Sequence, residues 1–157
     1  MAVNKNFLAP CGLYCGVCGV YLATRDNNMG FLERLLGVYK TGIPGLEGTT
    51  LEELLCDGCL AERKSLFCRS CQIRDCTLTR GYEGCHQCAE FPCRYIEEFP
   101  LPVGKRVVLR AIPYWREHGT EKFVCDEEAR YHCPSCNALL FRGAKRCHAC
   151  KTPVDVD

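Results

Sequence analysis

Apolar positions take up helical spacing at two places along the chain. Leu32, Leu35, Leu36 and Tyr39 recur at intervals of three and four residues, the signature of one helix face. They follow Asn27 and Asn28, side chains suited to closing a helix N-terminus, and the pattern stops at "TGIPG". Further on, Val108, Ala111, Ile112 and Trp115 line one face of a second predicted helix, with Lys105, Arg106, Arg110 and Arg116 on the other. The simplest reading of those four cations is a solvated face. Gly119 ends this helix, and Phe123 to Arg130 predicts another. Shorter signals fill the gaps. Val20 to Ala23 predicts a brief helix, Thr50 with Glu53 makes a capping box running toward Cys56, and Pro92 opens a helix through Tyr95 and Ile96. "FPLPVG", residues 99–104, reads as a linker, and Ala138 to Phe141 as a strand before a turn at Gly143. The expected division is 1–100, a cysteine-rich domain; 101–130, a helical connector; and 131–157, a separate final unit.

The stretches between the helices are rich in cysteine, of which the chain has sixteen in 157 residues. The N-terminal stretch has no apolar run of signal-peptide length and nothing later approaches a membrane span, so the chain is expected in the cytoplasm with no membrane partner. In that reducing compartment clustered cysteines are metal ligands rather than disulfides. Their spacing agrees, because two thiolates separated by two residues can chelate one ion from a single tight turn. The formal charge of +1 counts every thiol as neutral. Sixteen thiolates on four divalent ions would add roughly −8, so general attraction to nucleic acid is not expected.

Cys133, Cys136, Cys147 and Cys150 form C-x2-C-x10-C-x2-C, four thiolates that match the tetrahedral preference of zinc and leave no open position. With the strand after the first knuckle, this predicts a β zinc ribbon. Asn137 and Lys151 stand where such knuckles turn left-handed, a place that favours glycine; asparagine tolerates it and lysine less so. His148, between two ligands, is expected to be exposed. Upstream, "CRSCQIRDC" (68–76) and "CHQCAEFPC" (85–93) repeat C-x2-C-x4-C and suggest two similar turns. Taken in chain order, Cys56, Cys59, Cys68 and Cys71 would hold one ion and Cys76, Cys85, Cys88 and Cys93 another. Cys11, Cys15 and Cys18 are then one ligand short. Three readings stay open: a fourth ligand from Cys125 or His86, thiolates shared between sites, or a position left open for chemistry. Cys125, without a nearby pairing partner, is expected to be a buried free cysteine in a helix.

The run "APCGLYCGVCGVYLA", "CDGC", "CRSCQIRDC", "CHQCAEFPC" resembles a family of small cysteine-rich proteins of bacteria and archaea, a domain of unknown function opening on a CGLxCxxC motif. The resemblance covers residues 8–98, including Ile73 and the Phe91-Pro92-Cys93 ending, and some members end in a zinc ribbon. It implies zinc binding in a compact cytosolic protein and supplies no activity.

These signs add up to a small metal-bound α+β fold, with helices packed around cysteine-rich zinc loops and a small β zinc ribbon behind them, holding about three to four zinc ions. The expected role is a binding or adaptor module for another protein, since bound metal supplies folding free energy to a loop-rich chain. The alternatives are nucleic-acid binding through Lys105, Arg106, Arg110, Arg142, Lys145 and Arg146, and an iron–sulfur cluster on Cys11, Cys15 and Cys18. C-x3-C-x2-C is also the spacing of radical S-adenosylmethionine enzymes, but the chain is too short for their barrel. No phosphate loop, HExxH or dinucleotide motif points to another enzyme class.

Overall fold

The computed structural model describes residues 2–157. Eight α-helices follow one another: α1 Gly19–Arg25, α2 Met29–Gly42, α3 Leu51–Leu54, α4 Leu66–Arg69, α5 Gln72–Thr79, α6 Arg94–Glu97, α7 Pro102–His118 and α8 Thr120–Arg130. Shorter 3-10 turns lie at Lys5–Phe7, Cys15–Val17 and Cys85–Gln87.

The local signals behind the helices act as expected. Asn28 accepts a hydrogen bond from the Phe31 N–H (3.1 Å), and Leu32 and Leu36 are buried on the inner face of α2. Thr50 and Glu53 make both bonds of the capping box at α3. Together α1, α2 and α3 enclose one apolar cluster, in which Val20, Ala23, Leu32, Leu36 and Leu54 surround Cys56.

The larger core is organised by α7. Val107, Val108, Ala111, Ile112 and Trp115 are fully buried and meet Phe123 and Val124 of α8, Leu8 and Tyr14 from the N-terminal loop, and Tyr131 and Leu140 from the last segment. The Trp115 indole stacks on His86 (centroids 4.0 Å apart) and on Phe123 (4.9 Å). One core therefore draws residues from all three segments of the chain. The 99–104 stretch does not separate them, because Pro102 opens α7 at its first turn, where a missing N–H costs nothing.

Two expectations are overturned. The cationic side of α7 is not simply solvated: Arg110 holds Glu127 of α8, whose side chain is 3 % exposed, through Nη1 and Nη2, and Asp157 lies 3.7 Å away. The α+β class and the β zinc ribbon also fail. Among the described residues there is no sheet; the final segment has two isolated bridges, His132 with Leu139 and Arg146 with Pro153. Pro153 has no N–H with which to extend a ladder, and two-strand pieces this short are not stable alone. The fold is helical, and its last segment is a pair of turns held against the helices.

The internal repeat is not repeated in space either. In its first copy Cys76 rides on α5 after Cys71 caps the helix; in its second, Cys88 to Cys93 is irregular and a helix begins only at Arg94. Pro92 accounts for the difference, since it removes a helix donor and disfavours helical geometry in the residue before it.

Candidate metal centres

The last segment brings four thiols together. Cys133 and Cys136 come from one turn, Cys147 and Cys150 from the other. The turns close through Asn137 N–H on the Cys133 carbonyl (2.8 Å) and Lys151 N–H on the Cys147 carbonyl (3.1 Å). Asn137 and Lys151 are both left-handed, with φ of 59° and 62°, as the knuckle geometry demands. The Sγ atoms of Cys133 and Cys150 lie 3.6 Å apart, as do those of Cys136 and Cys147, and all four fall within 4.8 Å of one another. Zinc–sulfur bonds of about 2.3 Å imply a tetrahedron edge of about 3.8 Å, whereas a disulfide needs about 2.05 Å. The group could hold a metal ion, and all sixteen cysteines of the chain are free thiols.

Polar groups around this site favour thiolate. Thr152 places its hydroxyl 3.2 Å from Cys150 Sγ, and with its N–H lowers that thiol to about 6. The N–H of Cys150, with that of Ala149, lowers Cys147. Cys136 moves the other way, up to about 12: the Ala138 N–H opposes the rise but is outweighed by hydrogen bonding to Cys150, burial and the remaining thiols. The Cys150 thiol ionises readily and the Cys136 thiol retains its proton, which a divalent ion would displace.

The eleven upstream thiols converge less tightly. Cys11, Cys15, Cys56, Cys59 and Cys85 are buried; Cys18, Cys68, Cys71, Cys76, Cys88 and Cys93 are half-buried. The Cys59 N–H donates to Cys15 Sγ (3.3 Å) and the Gly58 N–H to Cys56 Sγ (3.4 Å). The neighbouring Cys59 thiol, with the Ser65 hydroxyl, brings Cys68 down to about 7 against the effect of its burial. Cys68 also acts on Cys11, Cys15 and Cys56. The opening triplet is thus neighbour to the Cys56–Cys71 group, and the two do not separate as chain order suggests. Cys85 has Cys93, Cys88 and Cys76 as its charged neighbours, the set that chain order joins. Among the described residues, the final four are the set of three or more ligand atoms that meets the 4.8 Å spacing.

The two proposed donors for the triplet have other places. His86 lies on Trp115 with Nε2 3.8 Å from Glu83, its Nδ1 is buried without a hydrogen-bond partner, and burial lowers its pKa. Cys125 is exposed on α8, not buried as expected, because the inward face of that helix belongs to Phe123, Val124 and Glu127. His148 is exposed, as expected.

Sequence reasoning missed the role of Arg142, which it placed on a basic surface. Its N–H donates to the Val17 carbonyl (2.9 Å) and its Nη2 to the Tyr14 carbonyl (2.7 Å), so it grips both sides of Cys15. Three others expected on that surface are also engaged: Arg110 with Glu127, Lys145 with Asp155 at 3.3 Å, and Lys105 with the Glu97 carbonyl at 2.6 Å; Arg106 and Arg146 are exposed. Nothing in the sequence sets Arg142 apart from Arg146.

Comparison with curated proteins and with solved structures gives no match. The sequence profile described as "Protein of unknown function (DUF3795)" matches residues 7–98, the span that carries the eleven upstream cysteines and excludes the final four. On that match the chain belongs to the DUF3795 family, with a four-thiol turn pair and the α7–α8 hairpin following the family segment.

Proposed function

We propose that this chain is a cytosolic, zinc-organised binding module for another protein, in which thiol-bound ions fix loops that its apolar clusters alone would leave unfolded. The observation that carries this reading is the final four-thiol group, whose 3.6 Å sulfur spacings suit a closed tetrahedral zinc site. Such a site is structural, because no coordination position is left for a substrate. A surface groove that presents Arg63, Lys64, Arg69 and Arg74 beside Glu62 would suit a segment of a partner protein. Among the described residues no helix is long and apolar enough to cross a membrane. A nucleic-acid role draws little support, since Arg110, Arg142 and Lys145 are occupied within the fold.

One observation favours a second reading, an iron–sulfur cluster on Cys11, Cys15 and Cys18: the upstream thiols are set wider than the final four, and a four-iron cube spreads its thiolates further than a single ion does. Elemental analysis and visible absorption of anaerobically purified protein separate the two. Colourless protein with about three to four zinc ions, unfolded by a chelator, is the expected result. Protein that folds without metal overturns both readings, and brown protein containing iron and sulfide selects the second.

A further inference from the structure

The segment between the two C-terminal knuckles is not a free loop. Phe141 packs edge-on against Phe31 of α2 (5.1 Å between centroids) and comes within 3.3 Å of where a Cβ would stand on Gly19, the residue after Cys18. Arg142 then reaches the Val17 and Tyr14 carbonyls, and Gly143 turns the chain away with a φ of 81°. Phe141 and Arg142 therefore cover the very triplet that lacks a fourth ligand.

The guanidinium is not fully used by these contacts. Its Nε is buried and has no acceptor among the described residues. A buried charged donor without an acceptor is costly, and the groups whose charge acts most on this one are the Cys18, Cys15 and Cys11 thiols, together with the Tyr131 hydroxyl. Three thiolates on one divalent ion carry a net negative charge, and each further thiolate adds to it. Burying that charge requires a cation, and arginine is the side chain that cannot escape by losing its proton.

We propose that Arg142 is the counter-ion and clasp of a second, upstream thiol–metal centre built on Cys11, Cys15 and Cys18 with Cys59 and Cys68, and that it ties the occupancy of this centre to the C-terminal four-thiol site. The triplet's further ligand then comes from Cys59 or Cys68 rather than from Cys125 or His86, and Arg142 supplies the balancing charge from outside the coordination shell. An ion on Cys133, Cys136, Cys147 and Cys150 fixes the loop that delivers Arg142, and the guanidinium accommodates the negative charge of the upstream centre. Lys64 and Arg74 act in the same sense on Cys68. The inference rests on the metal-organised reading above and adds to it which residue joins the two centres.

Native mass spectrometry of zinc-loaded protein, titrated with a chelator, tests it. The Cys136→Ser variant identifies the C-terminal ion by its loss. Arg142→Gln keeps a polar side chain that can donate hydrogen bonds and removes the charge; the upstream ions should leave at about tenfold lower chelator concentration, the scale of lost outer-sphere support, while the C-terminal ion stays. Arg142→Lys should recover most of that retention, and its circular dichroism and that of Arg142→Gln should match the wild type when loaded. Cys136→Ser should also loosen the upstream ions. Unchanged upstream retention in Arg142→Gln overturns the proposal. A wild-type protein holding only the C-terminal ion overturns it too but leaves the metal-organised reading standing, whereas protein that holds no metal at all removes both.

Discussion

Replacing Gly84 with alanine tests how tightly the α7 core meets the Cys85 turn. Gly84 has an extended backbone, with φ of −166°, so alanine meets no conformational objection there; the objection is space. A Cβ would stand 2.7 Å from both Cη2 and Cζ3 of Trp115 and 2.9 Å from Nδ1 of His86. Carbon atoms prefer about 3.5–4.0 Å, so the overlap is about 1 Å on each indole contact. The ring has little room to yield. It is fully buried, stacked against His86 and Phe123, and tethered by its Nε1–H to the Thr120 hydroxyl at 2.9 Å. Overpacking of this kind costs about 2 kcal/mol. For a chain of this length that lowers Tm by about 4–8 °C, read by circular dichroism at fixed metal content. A double-mutant cycle isolates the cause, because Trp115→Phe lacks the two carbons that clash. In that background Gly84→Ala should cost less than about 0.5 kcal/mol. Equal penalties in the two backgrounds, or none in either, would refute the steric argument.

Three further outcomes are expected. Arg110→Ala leaves the buried Glu127 carboxylate with only Arg130, at 3.8 Å, and should cost about 3 kcal/mol in urea unfolding; a wild-type midpoint contradicts the pairing. Lys151→Gly removes a side chain from a φ of 62° and should stabilise the C-terminal turn by about 1 kcal/mol, after losing only the surface contact from Lys151 Nζ to the His148 carbonyl; a lower Tm would count against it. The Cys150 thiol lies below its ordinary value, so its thiolate persists at neutral pH and is lost as the pH falls through about 6. Because a bound ion competes with the proton for this thiolate, the C-terminal ion should be released only as the pH falls below that value, and Thr152→Val, which removes the hydroxyl that favours the thiolate, should move release to higher pH. A zinc-responsive dye reads both proteins, and coincident curves would exclude Thr152 from that role.

The helices were legible where two independent signals agreed. In α2 a capping asparagine precedes an apolar stripe, and in α7 the stripe is complete from Val108 to Trp115; each records a local preference and a buried face together. The ribbon was misread because one signal had been made to serve two purposes. Ala138 to Phe141 is apolar, but Leu140 is buried in the α7 core and Phe141 lies on Phe31, so these side chains face helices rather than a second strand. The polar side of α7 failed for a related reason. Periodicity reports which face is polar, not whether a buried carboxylate such as Glu127, seventeen residues further along, waits opposite it.

The final four-thiol group could be read because each C-x2-C spacing is a local chelate, and the fold brings those four sulfurs together. What holds for ligands does not hold for the charges that must accompany them. An arginine between two knuckles looks like any solvated cation, and its alternative, a buried donor beside thiols over a hundred residues away in sequence, exists only after the last segment has folded back onto the first. Counting ligands therefore left the Cys11, Cys15 and Cys18 triplet apparently incomplete. Counting charge adds a second requirement: a three-thiolate corner with further thiolates nearby carries more negative charge than one divalent ion cancels, so besides a fourth donor from a nearby thiol such a centre would call for a buried cation. On that argument the distance between the two thiol groups in the sequence is part of the design of the fold, since the residue that balances one is delivered by the loop that the other holds in place.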